Sequence, residues 1–580
     1  MTEEAAAMTE AERYQITSND YLDLIISYNQ NIGAFSRYPN AVNQIMNDKY
    51  AVVYIQENNL TGSTFKQYGY TPLPACYGLA VQKSFEASGI QRLRRLPNFN
   101  LRGQGVLIGI VDTGIDYTNK VFRNADGTSR IMAIWDQTID SPNYPLPYFY
   151  GTQYLKEDIN RALSSANPLE VVPSTDTNGH GTMLAGIAAG SEVPENDFSG
   201  VVPDSELIVV KLKQAKPILR EFYLIPTNMD CFQENDIMWG VQYLVNMARA
   251  LKRPIAICLG VASTQGAHDG RGALSDQIAI AADFSGIVIS VAGGNEGNAA
   301  GHFYSEINPS IGFSNVELNI GENEPGFSME LWGTAPNTYS IDILSPSGEY
   351  IPRITESLRV NRDISFVFEK TEISVVYQMV ETATGDQLIF LRFREPAPGI
   401  WTFKVYTRGD ISGTFHIWLP ISGFIAEGTY FIQPDPYTTI TSPGNALAPI
   451  TVTAYNPDNN TLYRRASKGY SRINTIKPEC AAPGVNLPAP TLTGGFANMT
   501  GTSAAAAHTA GVTAMILEWA IVKGNYPGVD SIEVKKFIIR SAKRNTNISY
   551  PNRDWGYGIL DIYNVFDILR TSVRSSSNDY

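Results

Sequence analysis

The sequence predicts an α/β protein: a buried parallel sheet flanked by helices, preceded by a small α+β unit and interrupted by an inserted β jelly roll or sandwich. Three observations carry this. Short apolar runs bounded by glycine alternate with helical patterns from about residue 100 to 302, and again after 425. Strands separated by helices require right-handed crossovers and a parallel sheet. Between 312 and 425 the pattern changes to short alternating runs with almost no helical period, the mark of an antiparallel sandwich. Finally, the first 70 residues form a unit of their own, closed by a connector rich in proline and glycine.

In chain order, DYLDLIISYNQNI (Asp20–Ile32) has apolar residues at roughly helical spacing, and KYAVVYIQ (Lys49–Gln56) reads as a strand. YGYTPLPACYGL follows as an extended connector. The α/β part has strands expected at Val106–Val111, Leu207–Leu212, Pro254–Cys258 and Ile287–Val291, with helices at Asp236–Lys252 and Gln277–Phe284. The β insertion contains FSNVELNI, FSMELW, YSIDILS, ISFVFE, LIFLRF, IWTFKVY and GTFHIWL. Its tryptophans, Trp332, Trp401 and Trp418, are expected to fill the sandwich core. After it come a strand at Ile450–Ala454, a long apolar helix at Ser503–Trp519 and a helix at Ser531–Lys543, with Asp530 and Glu533 spaced as a capping box. The division is therefore 1–70, then 71–311 together with 426–580, with 312–425 inserted.

Composition narrows the function. Apolar residues are 43% and charged residues 17% of 580, which suits a globular protein. A formal charge of −13 opposes binding to nucleic acid or to an anionic membrane. No stretch of about 18 purely apolar residues occurs, so no membrane span is expected. The acidic start, MTEEAAAMTEAERY, does not read as a secretory signal, and a cytoplasmic location is expected. Cys76, Cys231, Cys258 and Cys480 are dispersed and read as unpaired thiols.

Four motifs carry chemistry. GIVDTGID (Gly109–Asp116) ends an apolar strand on Asp112, where open α/β sheets build ligand sites. NGHGTMLAGIAAG (Asn178–Gly190) flanks His180 with glycines and then enters small residues. SVAGGNEGN (Ser290–Asn298) runs a strand into Asn295, a neutral donor. GTSAAAAHTAG (Gly501–Gly511) places Ser503 at the start of an Ala-rich helix, whose N–H groups face a developing oxyanion. Alone, each also fits an ordinary role: a turn Asp, a packed His, a turn Asn, a Ser N-cap. His508, inside the last motif, reads as a packed helix residue.

Together, in the order Asp, His, Asn, Ser, these motifs resemble the subtilisin (subtilase) family of serine proteases. CLGVAS (Cys258–Ser263) and WGYGILDIYNVF (Trp555–Phe566) extend the resemblance. One departure is Ala507, where the family usually has proline. The resemblance implies a subtilisin-like fold with Asp112, His180 and Ser503 as triad and Asn295 with the Ser503 N–H as oxyanion hole. It implies that a peptide substrate pairs as an added strand beside Leu207, Val209, Leu212, Leu259 and Gly260. It also implies that residues 1–70 are a propeptide, chaperone and inhibitor, with the self-cleavage region between Gln67 and Gln82 and Tyr70–Thr71 the first choice. No cofactor is required; structural calcium is left open with no ligand set assigned.

Within the family, YPNAVNQIMNDKYAVVYI, YGYTPLPACYGL and TTITSPGNALAPITVTAYN resemble the Csp germination proteases of Clostridia and their relatives. That implies a propeptide that stays associated, a bracing jelly roll, and a cortex-lytic pro-enzyme as substrate during spore germination. The group includes pseudoproteases that have lost triad members and act in germinant signalling. The alternatives are thus a catalytically silent signalling protein or an active subtilase unconnected with spores. Retention of all four residues favours activity. Oligomeric state and cleavage specificity are not legible.

Overall fold

A computed structural model describes residues 8–57, 60, 67–79, 100–356, 361–409 and 411–576, the last seven as backbone only. Residues 80–82 of the expected self-cleavage stretch lie outside these.

The N-terminal unit corrects one expectation. Asp20–Ile32 is not helical: Tyr21–Ser27 is a strand, paired antiparallel with Tyr50–Gln56, which also pairs with Val42–Ile45. Leu22, Leu24, Ile26, Ala51, Val53 and Ile55 pack on one side, with Leu219 and Phe222, while Ile25, Val52 and Tyr54 join a different cluster. A strand buried on both faces loses its alternation and reads as a continuous apolar run, so spacing alone misassigns it. An α-helix in this unit, Glu10–Thr17, starts with a Thr9/Glu12 capping box.

The main sheet has nine strands. From one edge they run Thr461–Leu462, Ile450–Asn456, Ile287–Ala292, Ile255–Leu259, Leu107–Asp112, Glu206–Lys211, Ile131–Asp136 and Thr152–Leu155, with Cys480–Pro483 also on Ile450–Asn456. All pairs are parallel except the two at the edges of this path. Side chains alternate between two cores: Ile108 and Ile110 face the helices His180–Ala189 and Thr502–Leu517, while Leu107 and Val111 face Glu234–Leu251 and Ala273–Ala282. The predicted capping box on Ser531–Ser541 is present.

The insertion is two antiparallel sheets of six and five strands around one core. Its strands run from His302 to Phe431, wider than 312–425, because His302–Ile307 pairs with Gly413–Trp418 and Tyr430–Phe431 pairs with Phe313–Ile320. Trp401 fills that core, but Trp332 and Trp418 do not. They join the cluster holding the N-terminal sheet and the helix Pro217–Tyr223, so they sit at the junction of the three parts. Among the described residues one helical stretch, Thr502–Val522, is long and apolar enough to cross a membrane, with mean hydropathy 1.4, but it is mostly buried in this core. Its apolar character comes from being packed all round.

Candidate active site

Asp112 is the last residue of its strand, at the carboxyl edge of the sheet. Its Oδ1 accepts from the Thr113 N–H at 2.8 Å. His180 opens the helix His180–Ala189, and the two flanking glycines have separate reasons. Gly179 has φ +91°, a left-handed turn that glycine adopts without strain. At Gly181 a Cβ would stand 2.2 Å from the Gly114 carbonyl oxygen, so only glycine lets the two loops close. Ser503 is the second residue of Thr502–Leu517, a helix buried along its whole length. Ala507 continues that helix without a break.

These elements bring three side chains into line. His180 Nδ1 is 2.6 Å from Asp112 Oδ1, and His180 Nε2 is 3.1 Å from Ser503 Oγ. All three residues are buried. A carboxylate only accepts, so Nδ1 carries the proton and Nε2 presents its lone pair to the serine hydroxyl. Asp112 Oδ2 is buried with no hydrogen-bond partner among the described residues. It faces Gly260, where a Cβ would lie 3.1 Å from both Oδ2 and His180 Cε1. Burial and the Asp112 charge hold the neighbouring Cys258 thiol well above its usual pKa, which keeps it protonated and inert.

Asn295 lies beside the serine helix. Its Oδ1 accepts from the Thr502 N–H at 3.2 Å and the Thr502 hydroxyl at 3.1 Å. A backbone N–H can only donate, so the end facing it must be oxygen, and the Asn295 amino group points the other way. The Ser503 N–H belongs to the first helical turn, whose donors have no acceptor in their own helix. A side-chain amide and an N–H at a helix start are donor types that an oxyanion hole uses.

The residues expected to line the cleft fare differently. Leu207 and Val209 are fully buried in an interior strand paired on both sides, and Leu212 is buried beside it. A strand without a free edge cannot take a peptide, so Leu207 and Val209 are corrected to core residues, and Leu212, just past the strand end, packs in the core as well. Leu259 is also core, while Gly260 lies against the triad side chains and the Leu212 N–H donates to the Asp112 carbonyl at 2.9 Å. The edges in use are Val261–Ala262 and Phe232–Gln233, which the sequence reading missed. Between them lies the chain's own strand Cys76–Leu79, with Leu79 opposite Val261, Gly78 opposite Ala262 and Tyr77 opposite Phe232. A short polar break before the helix Glu234–Leu251 was the only sequence signal for the second edge.

Tyr70 and Thr71 are set apart, on the sandwich. The Tyr70 hydroxyl donates to Glu330 Oε1 at 2.6 Å and the ring packs on Trp332 and Phe390; Thr71 bonds Glu381. His508 is buried mid-helix. Among the described residues no group of three or more His, Cys, Asp or Glu is placed to hold a metal ion.

Comparison with known proteins follows the same outline. The subtilase family model matches residues 103–317 and 430–558, and the unmatched interval lies within the sandwich. Subtilisin-like protease SBT3.3 of Arabidopsis thaliana is 23% identical over 492 residues, 76% of this chain and 59% of that protein. The PII-type proteinase of Lacticaseibacillus paracasei is 22% identical over 536 residues, 81% of this chain and 26% of that protein. The chain thus spans about three fifths and about a quarter of these two relatives. The CspB protease of Clostridium perfringens is 30% identical in structure-based alignment, with a TM-score of 0.74 over 83% of this chain and 98% of that one.

Proposed function

Because the chain belongs to the subtilase family, we propose that it is a serine endopeptidase working through Asp112, His180 and Ser503. The observation that carries this is the unbroken buried relay from carboxylate to imidazole to hydroxyl, 2.6 and 3.1 Å, beside the Asn295 amide. In the reaction, Ser503 Oγ attacks the scissile carbonyl carbon while His180 Nε2 takes its proton. Asp112 holds the ring in the required tautomer and stabilises the imidazolium. The Asn295 amino group and the Ser503 N–H receive the oxyanion. His180 returns the proton to the leaving amine, and water releases the acyl group by the same steps. The chemistry asks for no cofactor.

The N-terminal unit acts on this reading as a propeptide that stays docked. Buried Asp23 supports this: it accepts from Lys216 Nζ at 2.5 Å, Gln233 Nε2 at 2.7 Å and Asn235 Nδ2 at 3.0 Å. We place the self-cleavage bond beyond Leu79 rather than at Tyr70–Thr71. From Gly78 to Leu79 the strand moves from Ala262 to Val261, toward Gly260 and the triad, whereas Tyr70 is anchored on the sandwich. The likeness to the CspB protease and the motifs set out above further support a role in spores, with a cortex-lytic pro-enzyme as substrate during germination. Mass spectrometry of the wild-type chain beside Ser503→Ala tests the enzyme reading. Two fragments are expected from the first and an intact chain from the second; identical products would overturn it.

A further inference from the structure

The strand in the cleft records which side chains the cleft admits. Tyr77 is buried in the same cluster as Phe232, Val261 and Leu274. Gly78 is the informative residue. Its φ lies outside the left-handed region, so the backbone does not ask for glycine there. Space does. A Cβ at this position would stand 2.6 Å from Ile421 Cδ1 and 3.3 Å from Phe424 Cζ. An isoleucine tip can normally swing aside, but Ile421 and Phe424 are only 4% and 5% exposed and belong to the cluster holding Trp332, Phe390 and Trp418. Close-packed neighbours leave little room to yield.

These two residues leave the sandwich just after Gly413–Trp418. Ser422, between them, donates to Glu296 Oε2 from its N–H at 3.1 Å and its hydroxyl at 2.8 Å, next to Asn295. The segment is therefore tied to the oxyanion loop while it roofs the position of Gly78.

We propose that Ile421 and Phe424 determine specificity: a substrate strand must carry glycine at the position opposite Ala262, directly after a large aromatic residue opposite Phe232. The substrate class is a protein with an exposed, extended aromatic-Gly segment upstream of the cut bond. This rests on the peptidase reading above. The expected order is glycine, then alanine, with valine and leucine excluded.

The test follows self-cleavage of the full chain by mass spectrometry, in the wild type and in Gly78→Val, so that the strand being cut is the one that occupies the cleft. Gly78→Val is expected to slow self-cleavage about 30-fold or more, the scale of one overpacked side chain. On an Ile421→Ala/Phe424→Ala background the ratio between glycine and valine at position 78 should fall to about 5-fold or less. Equal self-cleavage of the wild type and Gly78→Val overturns the proposal, as does an unchanged ratio on the double-variant background. If the wild type is not cut, a fluorophosphonate separates the causes. Labelled Ser503 means that this strand is not seated as a substrate and this specificity is wrong; an unlabelled chain means that the peptidase reading is wrong and this falls with it.

Discussion

Replacing Asp23 by alanine should loosen the N-terminal unit, and the structure sets the size of the effect. Asp23 and Lys216 are 2% and 4% exposed, and burial pushes the Lys216 ammonium below its usual pKa while Asp23 opposes that. Deleting one partner of such a pair costs about 3–5 kcal/mol, because the other charge stays buried. Lys216 Nζ keeps the Tyr21 carbonyl at 3.0 Å, which argues for the lower end. A loss of about 3 kcal/mol is a little over 100-fold in an equilibrium constant. Hydrogen exchange on a Ser503→Ala background reads this locally, without interference from self-cleavage. Amides of Tyr21–Ser27 and Tyr50–Gln56 should exchange about 100-fold faster in Asp23→Ala, while the central sheet is unchanged. Asp23→Leu with Lys216→Met should restore most of the protection, since an apolar pair leaves no orphan charge. Exchange within about threefold of the parent in Asp23→Ala would show that the Asp23–Lys216 pair does not hold the unit in place.

Two further outcomes are expected. Asn295→Ala should lower kcat by about 100- to 1000-fold with KM little changed, because the amide meets only the developing oxyanion; a KM effect alone in steady-state assays would contradict the assigned orientation. The sandwich should also lose stability in acid. His302 Nε2 and His416 Nδ1 share one proton at 2.9 Å, among Trp418, Tyr304, His268, Arg472, Arg553 and the Asp435 carbonyl. Burial pulls His302 down to about 3 and His416 well below its usual value. With folded pKa values depressed, stability is complete above the unfolded value of about 6.5 and drains as pH falls toward 3, by up to about 1.4 kcal/mol per pH unit per ring. Thermal melts from pH 7 to 5 should drop more steeply for the wild type than for His302→Gln; equal slopes would contradict this.

The residues proposed to perform the chemistry are the most legible part of the sequence. Asp112, His180, Asn295 and Ser503 sit in local motifs whose glycines are fixed by contacts such as Gly181 against Gly114, so spacing carried them through. Segments whose environment comes from distant chain were less legible. Tyr21–Ser27 reads as a helix because both of its faces are covered by other parts of the molecule. Leu207–Leu212 reads as a cleft edge by resemblance alone, and its apolar run does not reveal that strands flank Glu206–Lys211 on both sides. Phe232–Gln233, two residues long, carries no periodic signal at all.

Activation of Ser503 by His180 is read most directly from the mass shift on Ser503 after exposure to a fluorophosphonate, in the wild type and in His180→Ala. Stoichiometric labelling of Ser503 is expected in the wild type, and its loss in the variant. An unlabelled wild type, or equal labelling of both, would show that His180 does not activate Ser503.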